Sequence, residues 1–217
     1  MKVGTDAVLI GAWANVDNAK SILDIGTGSG VIALMMAQRS ASDTRIDAVE
    51  LQKEDAEQAS ENVSSSPWSE KVKVFHRDIL EFRPDKKYDL IVCNPPFFTK
   101  SLLPPDTSRR DVRHDDQLNF NQLIESVIRM ISPNGNFNVI LPTKEAEILN
   151  QKASQNRLHL NKLTDFFSRN DKPQERSLME FGMSLRQQKT DSLTLYKSGM
   201  VWSEEYRALT SEFYLQS

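Results

Sequence analysis

Apolar and polar residues come in blocks of alternating period along the chain. "SILDIG" (21–26) is a short apolar run closed by a glycine, and "SGVIALMMAQRS" (29–40) carries apolar residues at helical spacing. "TRIDAVEL" (44–51) reads as a strand, "KEDAEQASENV" (53–63) as a helix with a polar face, and "KVKVFHRD" (71–78) alternates as a half-buried strand does. "YDLIVCN" (88–94) is almost continuously apolar, which suits a central strand covered on both faces. An amphipathic helix "NQLIESVIRMI" (121–131), a strand "GNFNVILP" (135–142) and a helix from residue 143 follow. Strand and helix alternating in this way predict an α/β fold with a mainly parallel sheet. Further on, "LHLNKLTDFFSR" (158–169) and "SLMEFGMSLR" (177–186) predict two strands joined by the charged turn "NDKPQER". They give the sheet an antiparallel C-terminal edge. "SLTLYKSG" (192–199) adds a short strand, and "SEEYRALTSEFY" (203–214) a final helix with Ser203 as its N-cap.

Length and composition add bounds. At 217 residues the chain predicts one domain, long enough to build its core without a disulfide or metal staple. Within it we distinguish an N-terminal segment 1–19, a core 20–142 and a C-terminal part 143–217. The single cysteine, Cys93, excludes an internal disulfide, and no cysteine–histidine cluster has zinc spacing, so no metal is expected. The apolar stretch "AVLIGAWA" near the N-terminus is short and preceded by Asp6, with only Lys2 as a basic lead. It fits neither a signal peptide nor a membrane span, which points to a cytoplasmic protein, with a monomer favoured. A net charge of −3 argues against indiscriminate nucleic-acid binding, but residues 152–189 hold eight Lys/Arg against four Asp/Glu.

Candidate chemistry concentrates at the expected carboxyl ends of the strands. "DIGTGSG" (24–30) sits where a strand meets a helix, and its glycines permit a tight turn that a ligand can approach closely. Alone this turn is unspecific, since several nucleotide-binding families use one. There is no Gly-Lys-Ser/Thr, so a P-loop is excluded. Glu50 ends the second strand 20 residues past Gly30, where a carboxylate accepts hydrogen bonds from both hydroxyls of a ribose. Asp78 ends the third strand ahead of Ile79 and can accept from the amino group of an adenine. An adenosine-containing cofactor follows. The set resembles the class I, Rossmann-like methyltransferases that use S-adenosyl-L-methionine, over residues 20–142. The resemblance implies that Asp24 and the turn (Gly26, Thr27, Gly28, Gly30) hold the methionine part, Glu50 the ribose, and Asp78 with Ile79 the adenine, and makes Leu51 a further contact of the donor.

The fourth strand ends in "NPPFF" (94–98). Asn94 would stand beside the donor, and its side-chain oxygen and the Pro95 carbonyl can accept the two hydrogens of a planar amine. Accepting them favours a pyramidal nitrogen and stabilises the positive charge that develops on methylation. Pro95 and Pro96 stiffen the backbone that aims the carbonyl, and Phe97 offers a face for a flat group. Cys93, facing away from Asn94, is expected as a buried apolar residue. The motif occurs in families that methylate adenine, guanine or cytosine amines and in those that methylate a glutamine amide, and it does not separate them.

The flanks "MKVGTDAVLIGAW" (1–13), "SPWSEKVKV" (66–74), "RLHLNKLTDFFSRNDKPQERSL" (157–178) and "SEEYRALTSEFYL" (203–215) are similar to the bacterial tRNA methyltransferases that act on adenosine 37 of a valine tRNA. Members of that family usually carry a short segment ahead of the stretch that here reads "MKVGTD". The resemblance implies N6-adenine methylation, places Thr5 and Asp6 near the methionine end of the donor, and makes tRNA the partner. Arg109, Arg110, Arg113, Lys162, Arg169, Lys172 and Arg176, with Arg186 and Lys189, are the candidates to follow a phosphate backbone. A protein glutamine methyltransferase, a methyltransferase of another RNA base amine such as a ribosomal guanine, and a non-catalytic binding module are the alternatives.

Overall fold

A computed structural model describes residues 4–95 and 119–214. Five parallel strands form the first part of the sheet: β1 (Ser21–Ile25), β2 (Arg45–Glu50), β3 (Val72–His76), β4 (Tyr88–Cys93) and β5 (Ile131–Pro142). Helices α2 (Val31–Arg39) and α3 (Lys53–Ser64) link β1 to β2 and β2 to β3, while α4 (Phe120–Met130) and α5 (Thr143–Gln155) flank β5 in sequence. β6 (His159–Arg169) and β7 (Gln174–Gly182) form a hairpin in which β7 lies antiparallel against β5. β8 (Lys189–Ser198) then runs parallel to β6, β9 (Val201–Trp202) turns back on it, and α6 (Glu204–Thr210) closes the described fold. The strand order is β3-β2-β1-β4-β5-β7-β6-β8-β9. This is the expected mixed sheet with an antiparallel edge beyond β5.

The sheet is covered on both faces, which is why its central strands read as unbroken apolar runs. One face buries Leu23, Ile91, Phe137, Val139 and Phe181 beneath α4 and α5. The other buries Ile22, Ile46, Leu90, Val92 and Ile140 beneath α2 and a helix absent from the sequence reading, α1 (Thr5–Trp13). Leu9 and Ile10 of α1 are fully buried, each worth about 1.5–3 kcal/mol relative to exposure.

Several strands differ from their predicted bounds. β5 begins at Ile131 rather than 135, its first residue pairing with Tyr88 before a register shift that resumes at Leu90. A side chain on Gly135 would come within 2.7 Å of the Tyr88 carbonyl, so only glycine passes at this irregularity. β7 starts earlier and ends earlier than predicted, because the polar residues Gln174–Arg176 belong to the strand and not to the turn. β8 is ten residues long, not a short appendage.

Helix α1 is pinned at both ends. At its carboxyl end the Trp13 indole N–H donates to Thr164 Oγ1 at 2.8 Å, and Arg39 Nη1 donates to the Gly11 and Ala14 carbonyls at 2.7 and 2.8 Å. At its amino end Arg176 Nε donates to Asp6 Oδ2 at 2.8 Å, joining the helix to β7. Its outer face, Val8 and Ala12, packs with Met35 against Leu209, Phe213 and Tyr214. Ser203 caps α6 as expected, accepting from the Tyr206 N–H at 3.0 Å.

Candidate active site

The carboxyl ends of β1–β5, β6 and β8 share one edge of the sheet with the amino end of β7, and a cleft of about 1140 Å³ opens there. A doubly wound sheet binds its ligands at this edge. Gly26, Gly28 and Gly30 all take positive φ, at +69°, +56° and +83°, so the turn between β1 and α2 depends on glycine at each. The Gly26 and Thr27 N–H groups bond to the Val49 carbonyl at 2.9 and 3.2 Å, which fixes the turn against β2. Asn62 of α3 donates to the Ser29 carbonyl at 2.8 Å and holds it from the other side.

Glu50 lines the cleft while remaining only 8 % exposed. Its two oxygens accept from the Gly28 and Gln52 N–H groups, each at 2.9 Å, so the carboxylate is aimed before any ligand arrives. Asp78 accepts from the Leu80 N–H at 2.8 Å and joins Leu51, Ile79 and Leu80 along the cleft. Leu51, 43 % exposed, is an apolar side chain left open beside that carboxylate.

Asp24 takes a different place from the one expected. It is completely buried and does not line the cleft; it lies beneath the turn and accepts from the Thr27 hydroxyl at 2.6 Å. Among the described residues Oδ1 has no hydrogen-bond partner. Burial lifts its pKa to about 7, the neighbouring Glu50 adding to the rise and the Thr27 hydroxyl opposing it.

Asn94 follows β4, half-buried, and lines the same cleft with Cys93 and buried Pro95. Pro96 and Phe97 of the motif lie outside the described residues, as do Arg109, Arg110 and Arg113. Cys93 packs in the core as predicted, and burial holds its thiol well above the ordinary pKa.

The basic candidates divide. Arg169, Lys172 and Arg176 stand at the edge that carries Asn94, Arg169 donating to the Gly199 carbonyl at 3.0 Å. Lys162 lies toward the other end of β6, its ammonium 4.3 Å from the centroid of the Trp13 ring. Arg186 and Lys189 stand near Glu180, whose pKa burial raises and these cations oppose.

Sequence reasoning missed several cleft residues. Gln122 comes from the first turn of α4, in a capping box with Asn119, and Arg77 from the end of β3. Phe166, Ser168, Glu175 and Leu195 come from β6, β7 and β8. The Asn119–Gln122 spacing was a readable helix-start signal; nothing local marked the others.

Donor set and cradle fit an adenosine-bearing cation. The glycine turn leaves open space above Gly26, where an added Cβ would meet no atom of the described residues within 4 Å. Two aimed carboxylates and an apolar lip continue from it along the ends of β2 and β3.

Fold and site together define a class I, Rossmann-like methyltransferase, and residues 3–146 match the family model described as Methyltransferase small domain. The fold is shared with a predicted O-methyltransferase of Agrobacterium tumefaciens, with a TM-score of 0.75 at 17 % identity over 95 % of this chain and 96 % of that one. It is shared too with the glycopeptide N-methyltransferase MtfA solved with S-adenosyl-L-methionine, with a TM-score of 0.61 at 13 % identity over 83 % of this chain and 94 % of that one. In sequence the chain is 45 % identical to the tRNA1(Val) (adenine(37)-N6)-methyltransferase of Phocaeicola vulgatus over 99 % of its own length and 91 % of the relative's. It is 41 % identical to the enzyme of the same name from Yersinia enterocolitica, over 99 % and 86 %. The chain belongs to the family of tRNA1(Val) (adenine(37)-N6)-methyltransferases.

Proposed function

We propose that this protein transfers a methyl group from S-adenosyl-L-methionine to the N6 amine of adenosine 37 in a valine tRNA. The observation that carries the reading is that Asn94 and Pro95 open on the same cleft as the glycine turn, Glu50 and Asp78. The relatives named for this activity match the chain from end to end, which supports the choice among amine substrates. When bound, the donor supplies an electrophilic methyl on a sulfonium. Glu50 would hold the ribose hydroxyls, Asp78 with Ile79 and Leu51 the adenine, and the turn over Asp24 and Thr27 the methionine part. Thr5 and Asp6, which also line the cleft, close that end.

Asn94 Oδ1 and the Pro95 carbonyl accept the two hydrogens of the target amine. They leave its lone pair directed at the donor and offset the positive charge that forms on nitrogen. That nitrogen then loses a proton to solvent, so no strong base is required. The acceptor adenine reaches the cleft unstacked from the anticodon loop, as chemistry on a base demands.

Tritium transfer from S-adenosyl-L-methionine to valine tRNA transcribed without modifications, followed by nucleoside digestion, tests the proposal. Label in N6-methyladenosine is expected, and none with a transcript in which adenosine 37 is replaced by guanosine. Label only in added protein would favour a glutamine methyltransferase, and label in guanosine of ribosomal RNA another base amine.

A further inference from the structure

The lining of the cleft runs out along β6 and β8. Ser168 and Leu195 line it, and the residues that follow them, Arg169 and Tyr196, pair across the two strands. Beyond that pair lie two turns at the edge that carries Asn94: residues 170–173 between β6 and β7, and residues 199–200 between β8 and β9. The turns are tied to each other. Arg169 Nη2 donates to the Gly199 carbonyl at 3.0 Å, and the Thr194 hydroxyl donates to Asn170 Oδ1 at 2.8 Å. The Lys172 N–H closes the first turn on the Arg169 carbonyl at 3.1 Å. Gly199 takes a φ of +53°, which the second turn needs and glycine supplies. Together the turns make one ridge beside the mouth of the cleft.

Turn tips ordinarily carry small or polar residues. Here Met200, in the second turn, is 74 % exposed, and Val201, which follows it, 53 %. The shoulders of this apolar tip are basic: residues 169–173 and 197–201 contain Arg169, Lys172 and Lys197 against Asp171, with Lys197 in an exposed pair with Glu204 at 3.5 Å. An apolar tip among cations suits a partner that presents flat apolar faces along an anionic backbone, which is single-stranded nucleic acid. A donor-sized molecule in the cleft does not reach it, since β8 stands four strand spacings from β4, about 19 Å.

We propose that this ridge is an RNA contact, in which Met200 and Val201 pack on the face of another base of the loop while Asn94 holds the target amine. The contact rests on the RNA substrate proposed above. Opening an anticodon loop to free one base leaves others unstacked, and an apolar wedge covers a face so exposed. Methionine suits the place, because its thioether is flexible and polarisable and packs well on aromatic rings. Arg169 serves as a positioning residue, its bond to the Gly199 carbonyl holding the tip.

The test measures binding of an unmodified valine tRNA transcript across a salt series, and donor binding by calorimetry, for wild type, Met200→Leu and the double variant Met200→Ser/Val201→Ser. Both side chains are exposed, so the variants keep the fold. An apolar contact releases no counterions. The double variant should therefore bind tRNA about five- to tenfold more weakly, by the same factor at every salt concentration and with an unchanged log–log slope. Met200→Leu should stay within about twofold of wild type, and donor affinity should be unchanged in both. Wild-type tRNA affinity in the double variant, or a loss confined to low salt, would overturn the contact. So would a double variant altered only in self-association by sedimentation, which would make the tip a protein contact. Wild-type protein that binds no tRNA would instead refute the RNA reading itself.

Discussion

Glu50 Oε2 accepts the Gly28 N–H at 2.9 Å, so the carboxylate proposed to hold a ribose also ties the glycine turn to the end of β2. Removing it therefore loosens two things at once. We predict that Glu50→Ala weakens donor binding at least tenfold, since hydrogen bonds to charged groups are worth roughly 1.5–3 kcal/mol each. Glu50→Gln, which keeps an oxygen for one of the two N–H groups, should lose less. Calorimetric titration with S-adenosyl-L-methionine decides it; unchanged affinity in Glu50→Ala would mean that the ribose is held elsewhere.

In the proposed mechanism Asn94 serves the acceptor amine rather than the donor. Asn94→Ala should abolish methyl transfer while donor binding stays within a few-fold of wild type, read by single-turnover kinetics alongside calorimetry. A turnover rate near wild type would remove the amide from the mechanism.

Asp24 makes stability depend on pH. Its native pKa is about 7 against an ordinary value of 3.8, so between those limits the native state holds a proton that the unfolded chain lacks. Stability from this group is complete below about pH 4 and is lost as pH rises through 7, a span of the order of 4 kcal/mol at about 1.4 kcal/mol per pH unit. In urea unfolding without donor, wild type minus Asp24→Asn should fall across that window and be flat on either side. A difference independent of pH would show that the carboxylate titrates normally.

Arg169 and Lys172 stand at the turn between β6 and β7, on the edge that carries Asn94. Reversing both to Glu should weaken tRNA binding at least tenfold at low salt, with a loss that shrinks as salt rises, and leave donor binding intact. Filter binding checks it, and tight binding by the double variant would move the RNA path away from this turn.

Strands β1, β2, β4 and β5 were legible because each pairs on both sides and is covered on both faces, while the edge strand β3, paired only with β2, showed as alternation. Helix α1 was not, because Val8 to Trp13 are all buried and leave no polar stripe to mark a helical period. The polar start of β7 read as turn, since Gln174 and Arg176 spend their side chains on Asp165 and Asp6 rather than on the core. Asn94, Glu50 and Asp78 could be picked out by their places at strand ends. The Asp6–Arg176 pair spans 170 positions of sequence and leaves no local trace. Asp24 stood out in the sequence, but only the structure shows that it lies buried beneath the turn.

The contact of α1 with residues 209–214 bears on when the enzyme becomes active during synthesis. The wall of the cleft at Thr5 and Asp6 belongs to a helix whose outer face packs on Leu209, Phe213 and Tyr214 together with Val31 and Met35 of α2, and whose ends are held by β6, β7 and Arg39. A nascent chain can pair β1 to β5 and form the glycine turn while its last segment is still inside the ribosome. Helix α1 would meanwhile keep Arg39 and α2 but lack its bonds to β6 and β7 and its contact with residues 209–214. The wall of the cleft at Asp6 therefore sets only once β7 has been made, after the glycine turn and Glu50 can already stand in place.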